Sequence, residues 1–291
     1  MVFLREANLM RPKAISNQLR PITRSKLRLF LGTNYFIIKR YFDWHLGNIQ
    51  FAKTKFEDKL PYVQFHHATP LYRKLKNLDM KLQINKVQNL KLAISKLNNI
   101  LIRPGETLSF WKAIGRPSRR KGYVEGLVLF CGTLHSGAGG GLCQLSNLIY
   151  WMALHTDLTV TERYRHSYDV FPDENRMQPF GSGATCVYNY RDLMIQNNTK
   201  HSFQLSLNLT DTELQGDFLS TQKVYYIYEV YEKSHYINHE YWGGYTRNNI
   251  LYRRKISPDG TIVSDEYLSE NHAIMMYAPY LQETSQGKKI R

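Results

Sequence analysis

Apolar residues recur at helical spacing in two stretches of the chain. Over residues 79–99, Val87, Leu90, Ile94 and Leu97 fall at i, i+3, i+7 and i+10, while Lys81, Lys86, Lys91 and Lys96 lie largely off that stripe. This predicts an amphipathic helix with one face in the core. Residues 142–155 predict a second helix, with Leu142, Leu145, Ile149 and Met152 on its buried face and Cys143, Ser146, Asn147 and Tyr150 on another side. Strand signals surround these helices. Segment YVQFHHATPLYRKL reads as a short strand with a turn at Pro70, LSFW as an aromatic strand-like segment, and VEGLVLF (124–130) as a strand. In 158–166, Leu158, Val160, Glu162, Tyr164 and His166 share one face of a predicted strand, and ATCVYNY (184–190) reads as another. Beyond His201 strands dominate: FQLSLNL, KVYYIYEVYE, NILYRRKI, a turn at Pro258-Asp259-Gly260, then TIVSDEYL.

Glycine, proline and charge mark the joints. Arg103-Pro104-Gly105-Glu106 is a turn; Gly115-Arg116-Pro117 and Arg119-Arg120-Lys121-Gly122 are loops; Gly137–Gly141 is a glycine loop, and FPDENRMQPFGSG a long turn-rich one. The expected fold is α+β: a mixed β-sheet core with helices, a glycine-rich loop leading into a Cys-bearing helix, and a C-terminal antiparallel extension. The expected division is a basic N-terminal helical segment (1–60), a core domain (61–215) and the extension (216–291), with no repeats.

Composition adds a bias in charge. Of 291 residues, 39 are Lys or Arg and 24 Asp or Glu, a net charge of +15 that draws anionic partners without choosing among them. No nucleic-acid-binding module accompanies it, so specific nucleic-acid binding is not expected. The segment Leu27 to Leu46 is apolar and aromatic but broken by Arg28, Lys39, Arg40 and Asp43, too polar to span a bilayer. Packing on its own domain is its favoured placement, and peripheral contact with an anionic membrane the other. With no signal-peptide core before it, the expected location is cytoplasmic, extending to the inner membrane surface. Three cysteines (Cys131, Cys143, Cys186) cannot build a disulfide framework, and without paired Cys/His spacing neither a metal site nor a cofactor is expected.

The chemistry-bearing stretch is Gly137 to Asn147. Gly139, Gly140 and Gly141 permit close backbone approach to a ligand and lead to Cys143 in the first turn of a helix. There, unpaired N–H groups and the helix dipole would lower the thiol pKa, and N–H groups near Gly141 to Gln144 would hold an oxyanion. His166 is the expected base, oriented by Asp169 or Glu162; His135 is the local alternative. Cys131 and Cys186 should be shielded in strands. Arg116, Arg119 and Arg120 form a basic patch suited to a carboxylate or phosphate, or a solvated loop.

Three long segments, RPGETLSFWKAIGRPSRRKGYVEGLVL, GAGGGLCQLSNLIYWMALHTDLTVTERYRHSYDVFPD and PFGSGATCVYNYRDLMIQN, closely resemble the VanW family over about residues 60–215. That resemblance implies a role around glycopeptide resistance and the cell envelope. Some relatives resemble L,D-transpeptidases of peptidoglycan, with the cysteine of Gly-Gly-Gly-x-Cys-Gln as nucleophile. Carried over, the nucleophile is Cys143 and the histidine of ERYRHS is His166. The expected partner is a cell-wall peptide or peptidoglycan precursor. The alternative is a non-catalytic accessory protein that binds such an anionic precursor.

Overall fold

The structure is a computed structural model, and it describes residues 25–72, 80–130, 133–170 and 178–279. Helix α1 (Lys26–His45) begins at Ser25, whose Oγ accepts the Arg28 N–H at 3.3 Å. Strand β1 (Tyr62–Pro70) follows, then α2 (Met80–Leu97), β2 (Ile100–Ile102), β3 (Thr107–Ser109) and α3 (Phe110–Ile114). A single 3-10 turn (Arg119–Lys121) leads to the hairpin β4 (Glu125–Phe130) and β5 (Thr133–Ala138). After the glycine turn come α4 (Cys143–Leu154), β6 (Thr159–Glu162), β7 (Tyr168–Asp169), β8 (Met194–Gln196), β9 (Phe203–Leu209) and β10 (Glu213–Ser220). The chain then builds β11 (Ile227–His239), β12 (Tyr245–Ile256) and β13 (Ile262–Met275).

The strands form an antiparallel sheet ordered β1-β10-β9-β2, a second ordered β11-β12-β13-β7, a three-stranded sheet β3-β8-β6, and the β4-β5 hairpin. The fold is α+β. Helix α4 lies against β1, β10 and β6, while α2 covers β9 and β4. Close seating of α4 depends on Gly216 in β10, where a Cβ would stand 2.8 Å from the Met152 methyl. The predicted face of α2 is in the core: Leu90, Ile94 and Leu97 are buried and Val87 packs at the margin. Helix α4 departs from its predicted single face, because Ser146 and Tyr150 are buried along with Leu145, Ile149 and Met152. It is a central helix enclosed almost all round.

Other departures have local causes. LSFW splits at Ser109, whose Oγ caps α3 by accepting the Lys112 N–H at 3.1 Å, so Phe110 and Trp111 turn into a helix. The alternation in 158–166 gives a strand only to Glu162, and the chain from Arg163 to Ser167 is irregular. ATCVYNY is not a strand: it closes a turn in which Asn189 takes φ 28° and Val187 bridges Arg191. Gly137 and Ala138, read as loop, extend β5. Strand β10 passes through position 215 and pairs with both β1 and β9. Strand β13 runs parallel to β7, pairing Ile274 with Tyr168 and Met275 with Asp169, so the C-terminal strands reach the core.

The glycine turn is fixed by backbone packing. A Cβ on Gly140 would lie 2.1 Å from the carbonyl carbon of Gly126, and one on Gly126 2.4 Å from the Gly140 oxygen. Asn89, fully buried on α2, closes this contact by donating to the carbonyls of Gly140 (2.9 Å) and Val124 (3.0 Å) and accepting the Val124 N–H (2.9 Å). Gly140→Ala is therefore expected to destabilise the fold by about 1–3 kcal/mol, the usual cost of overpacking. Urea unfolding measures it, and an unchanged midpoint would contradict the backbone contact.

Candidate active site

A cavity of about 450 Å³ opens beside the start of α4. Cys143 and His166 both line it, together with Gly139, Gly140, Gly141, Gln144, Asp169 and Arg165. Each comes from a different support. The glycine turn delivers Cys143, the irregular chain after β6 delivers Arg165 and His166, and β7, held by β13, delivers Asp169.

The helix start supplies fewer open donors than its sequence promised. Leu142 precedes α4 in helical conformation without a side-chain cap. The N–H groups of Gly140, Gly141, Gln144 and Leu145 bond to the carbonyls of Gly137, Leu127, Gly141 and Leu142. Among the described residues no carbonyl accepts the N–H groups of Leu142 and Cys143, and that of Cys143 lies against its own sulfur. Oxyanion donors therefore narrow from the Gly141 to Gln144 span to this adjacent pair. The Gln144 side chain is a strut to β1, donating to Thr69 Oγ1 (3.0 Å) and the Pro70 carbonyl (2.9 Å).

The thiol itself differs from expectation. Burial raises the Cys143 pKa above the ordinary thiol value, against a smaller opposing pull from backbone hydrogen bonding at Cys186 and at Cys143 itself. Its Sγ stands 3.8 Å from the Cys186 carbonyl oxygen. Removal from water thus outweighs the helix terminus, and the resting sulfur is a protonated thiol at neutral pH. Cys186 is buried as expected, though in an irregular segment rather than a strand, and its thiol is raised further by burial and by the neighbouring Cys143. Cys131 lies outside the described residues.

His166 is pushed down to about 4, first by burial and then by the charges of Arg191 and Arg165. It is neutral at neutral pH, so the expected imidazolium beside Cys143 is absent from the resting site. Among the described residues no hydrogen bond joins His166 to Cys143, Asp169 or Glu162. Both carboxylates have other partners. Asp169 is ion-paired with Arg247 (3.4 Å) and accepts the Tyr277 hydroxyl (2.8 Å), while Glu162 takes a bidentate contact from Arg40 (2.7 and 2.5 Å). Neither orients the imidazole. His135 is exposed on β5, hydrogen-bonded to Thr133 (2.7 Å), and is not in the cavity wall.

The basic patch at 116–120 is also outside the cavity wall. Arg119 pairs with Glu125 at 2.6 Å on an exposed surface, and Pro117 in the same loop backs Gly139, whose Cβ would meet it at 2.6 Å. Arg116 and Arg120 do not line the cavity either. Two cations do: Lys86, whose ammonium donates to the Leu71 carbonyl, and Arg165, which pattern reading passed over. The Arg165 guanidinium donates to the His272 carbonyl, lies 5.3 Å from the Phe180 ring, and has no ion-pair partner among the described residues. Burial and neighbouring Arg163 push it down to about 10, so it remains charged at neutral pH. Arg163 and Asn147 were passed over as well. Arg163 donates to the Gly181 and Gly183 carbonyls, and Asn147 Oδ1 accepts the Ala184 N–H at 2.7 Å. The available signal was the spacing of Arg163 and Arg165 two apart beside His166.

Comparison with known proteins agrees with this geometry in its extent. The family model described as "VanW like protein" matches residues 85–219, from α2 through β10. The chain is 37% identical over 180 residues to the vancomycin B-type resistance protein VanW of Enterococcus faecalis, covering 62% of this chain and 66% of that protein. The chain belongs to the VanW family. It is also 31% identical over 109 residues to the uncharacterized protein YoaR of Bacillus subtilis, covering 38% of this chain and 34% of YoaR. It thus spans just under two thirds of the Enterococcus VanW protein and one third of YoaR. No solved structure matches the chain. The VanW match contains Cys143, His166, Asp169 and the glycine turn. No group of three or more potential metal ligands is found among the described residues.

Two titrations follow from the electrostatics. By NMR, His166 should titrate near 4, and Arg165→Gln should move its midpoint upward toward the ordinary value. Site-resolved iodoacetamide labelling of Cys143 should rise only above the ordinary thiol pKa of about 8.5, with Cys186 slower still. Labelling of Cys143 well below that value would contradict a thiol governed by burial.

Proposed function

We propose that this VanW-family chain is a cysteine acyltransferase of the L,D-transpeptidase-like kind, acting on a cell-wall peptide or its precursor in a vancomycin-resistance or cell-envelope setting. The observation that carries the reading is one cavity holding a thiol (Cys143), a neutral imidazole (His166) and a guanidinium (Arg165) that the Asp169 charge reaches but that forms no ion pair among the described residues. The N–H groups of Leu142 and Cys143, which no carbonyl accepts among the described residues, are the oxyanion donors in this reading.

The roles follow from the charges. Alone, the site is at rest: the thiol keeps its proton, and Arg165 and Arg191 disfavour a proton on His166. An anionic substrate seated beside Arg165 offsets that charge and lifts the imidazole pKa toward the neutral range. His166 then takes the Cys143 proton as sulfur attacks the substrate carbonyl, and the Leu142 and Cys143 N–H groups hold the oxyanion. Collapse of the tetrahedral intermediate breaks the C–N bond, and His166 returns the proton to the leaving amine. A thioester remains on Cys143. An acceptor amine attacks it, loses its proton through His166, and restores the thiol.

A second reading has its own support. The raised thiol and the lack of a Cys143–His166 hydrogen bond also suit a VanW accessory protein that binds an anionic precursor through Arg165 without chemistry. The two separate cleanly. Incubated with muropeptides or precursor peptides, the enzyme gains an acyl mass on Cys143, and Cys143→Ala does not. Reversible binding that leaves Cys143 unmodified and survives Cys143→Ala selects the accessory role.

The anionic preference is testable without the natural substrate. The rate ratio of iodoacetate to iodoacetamide at Cys143 should exceed that of free cysteine, and Arg165→Gln should return it to the free value. A ratio equal to that of free cysteine in the unaltered chain would remove Arg165 from the reading.

A further inference from the structure

Helix α1 is attached to the domain by one face only. Arg40 and Trp44 are buried on it; Arg40 pairs with Glu162, and the Trp44 carbonyl accepts Lys112 Nζ at 2.5 Å. On the outward side, Leu27, Leu31, Tyr35, Ile38 and Phe42 recur at i, i+4, i+8, i+11 and i+15, which places them along one stripe of the helix. Their exposures are 67%, 58%, 63%, 57% and 57%, values unusual for five large apolar side chains in register. Leu46, just beyond the helix, is 75% exposed and continues the row. Single exposed apolar residues need no explanation, but a continuous row about 30 Å long does.

The charges beside the row identify what covers it. Arg28 and Lys39 directly follow Leu27 and Ile38, so both lie about 100° round the helix and line the same edge of the stripe. Both are exposed, as is Lys26 at the helix start. The sequence preceding α1 adds Arg5, Arg11, Lys13, Arg20 and Arg24. A second copy of the helix laid antiparallel against the stripe would bring Arg28 and Lys39 toward their counterparts. A surface that is apolar below and anionic above satisfies both features together. Among the described residues no helix is long and apolar enough to cross a membrane, so α1 would lie in the interface rather than span it.

We infer that the outward stripe of α1 is a docking surface for an anionic lipid bilayer, with Leu27, Leu31, Ile38 and Phe42 entering the acyl boundary and Arg28 and Lys39 meeting the headgroups. The inference is independent of the chemistry at Cys143. Because the inward face is anchored through Arg40 and Trp44, docking α1 also docks the domain.

The test is sedimentation of the full chain with vesicles of phosphatidylglycerol mixed with phosphatidylcholine, against vesicles of phosphatidylcholine alone. Each basic residue near an anionic surface is worth about fivefold in partitioning, so Arg28 and Lys39 together should favour the anionic vesicles by at least about tenfold. Added salt should reduce the difference. Leu31→Asp with Ile38→Asp should abolish the binding while leaving the urea midpoint unchanged, since both side chains are exposed. Equal binding to both vesicle types, or undiminished binding by the double variant, would overturn the inference. So would a dimer dissolved by the same variant in a chain that binds no vesicles, which would assign the stripe to a second copy.

Discussion

The cavity beside Cys143 depends on two backbones touching where neither residue has a side chain. Gly126 in β4 and Gly140 in the turn before α4 approach so closely that a Cβ on either would overlap the other's main chain. Asn89 locks the contact from α2, using its amide on both sides of the junction. Three elements distant in sequence are thereby fixed within one hydrogen-bonded layer, and Cys143 emerges from it at a set position. Positive φ at Gly141 completes the turn, and its missing Cβ leaves room for the Lys86 side chain. The glycines of the motif thus have packing reasons of their own, whatever ligand the turn also meets.

Around that fixed thiol, burial sets the protonation states. Cys143 is raised and His166 lowered chiefly because each lies in a region where its charged form loses water. Arg165 and Arg191 add to the effect on His166, while Asp169 is occupied by Arg247 and Tyr277. The result is a neutral pair facing a cationic wall. An anion brought into such a site changes more than its own hydration: it alters the charge that holds the imidazole unprotonated. The C-terminal strands contribute directly, since Arg247 comes from β12 and the carbonyl that anchors Arg165 from His272 on β13.

Much of this architecture was legible in the residues. The periodicity of α2, the α4 boundaries, the β4 strand and the C-terminal meander all follow from patterns local enough to read along the chain. Cys143 at a glycine turn and helix start is equally local. The features that escaped depend on partners far away in sequence. Ser109 could be strand or cap until Asp192 and the Lys112 N–H are placed beside its hydroxyl. Asn89 looks like a polar interruption of an amphipathic helix until Val124 and Gly140 meet it. The His166 partners failed for the same reason: spacing puts Asp169 and Glu162 nearby, but Arg247 and Arg40, remote in sequence, claim both carboxylates. The low thiol pKa expected from the helix start was overridden by burial, a quantity that no local pattern contains.

The core behind the site extends the same logic to a second titratable group. Asp192 accepts the Ser109 hydroxyl (2.5 Å) and the Trp111 N–H (3.0 Å), yet burial still raises it to about 6, with the nearby Glu162 charge adding to the rise. A carboxyl raised in the fold contributes stability at low pH that is lost as pH rises through its folded value. A histidine lowered in the fold, as His166 is to about 4, contributes stability that is lost as pH falls from its unfolded value toward that point. The two slopes oppose each other across the mildly acidic range. Glu162, next to Asp192, takes an ion pair from Arg40 on both of its oxygens. That ion pair is also a polar attachment of α1 to the domain, so the one buried cation that α1 contributes serves both its own docking and the charge balance behind the cavity.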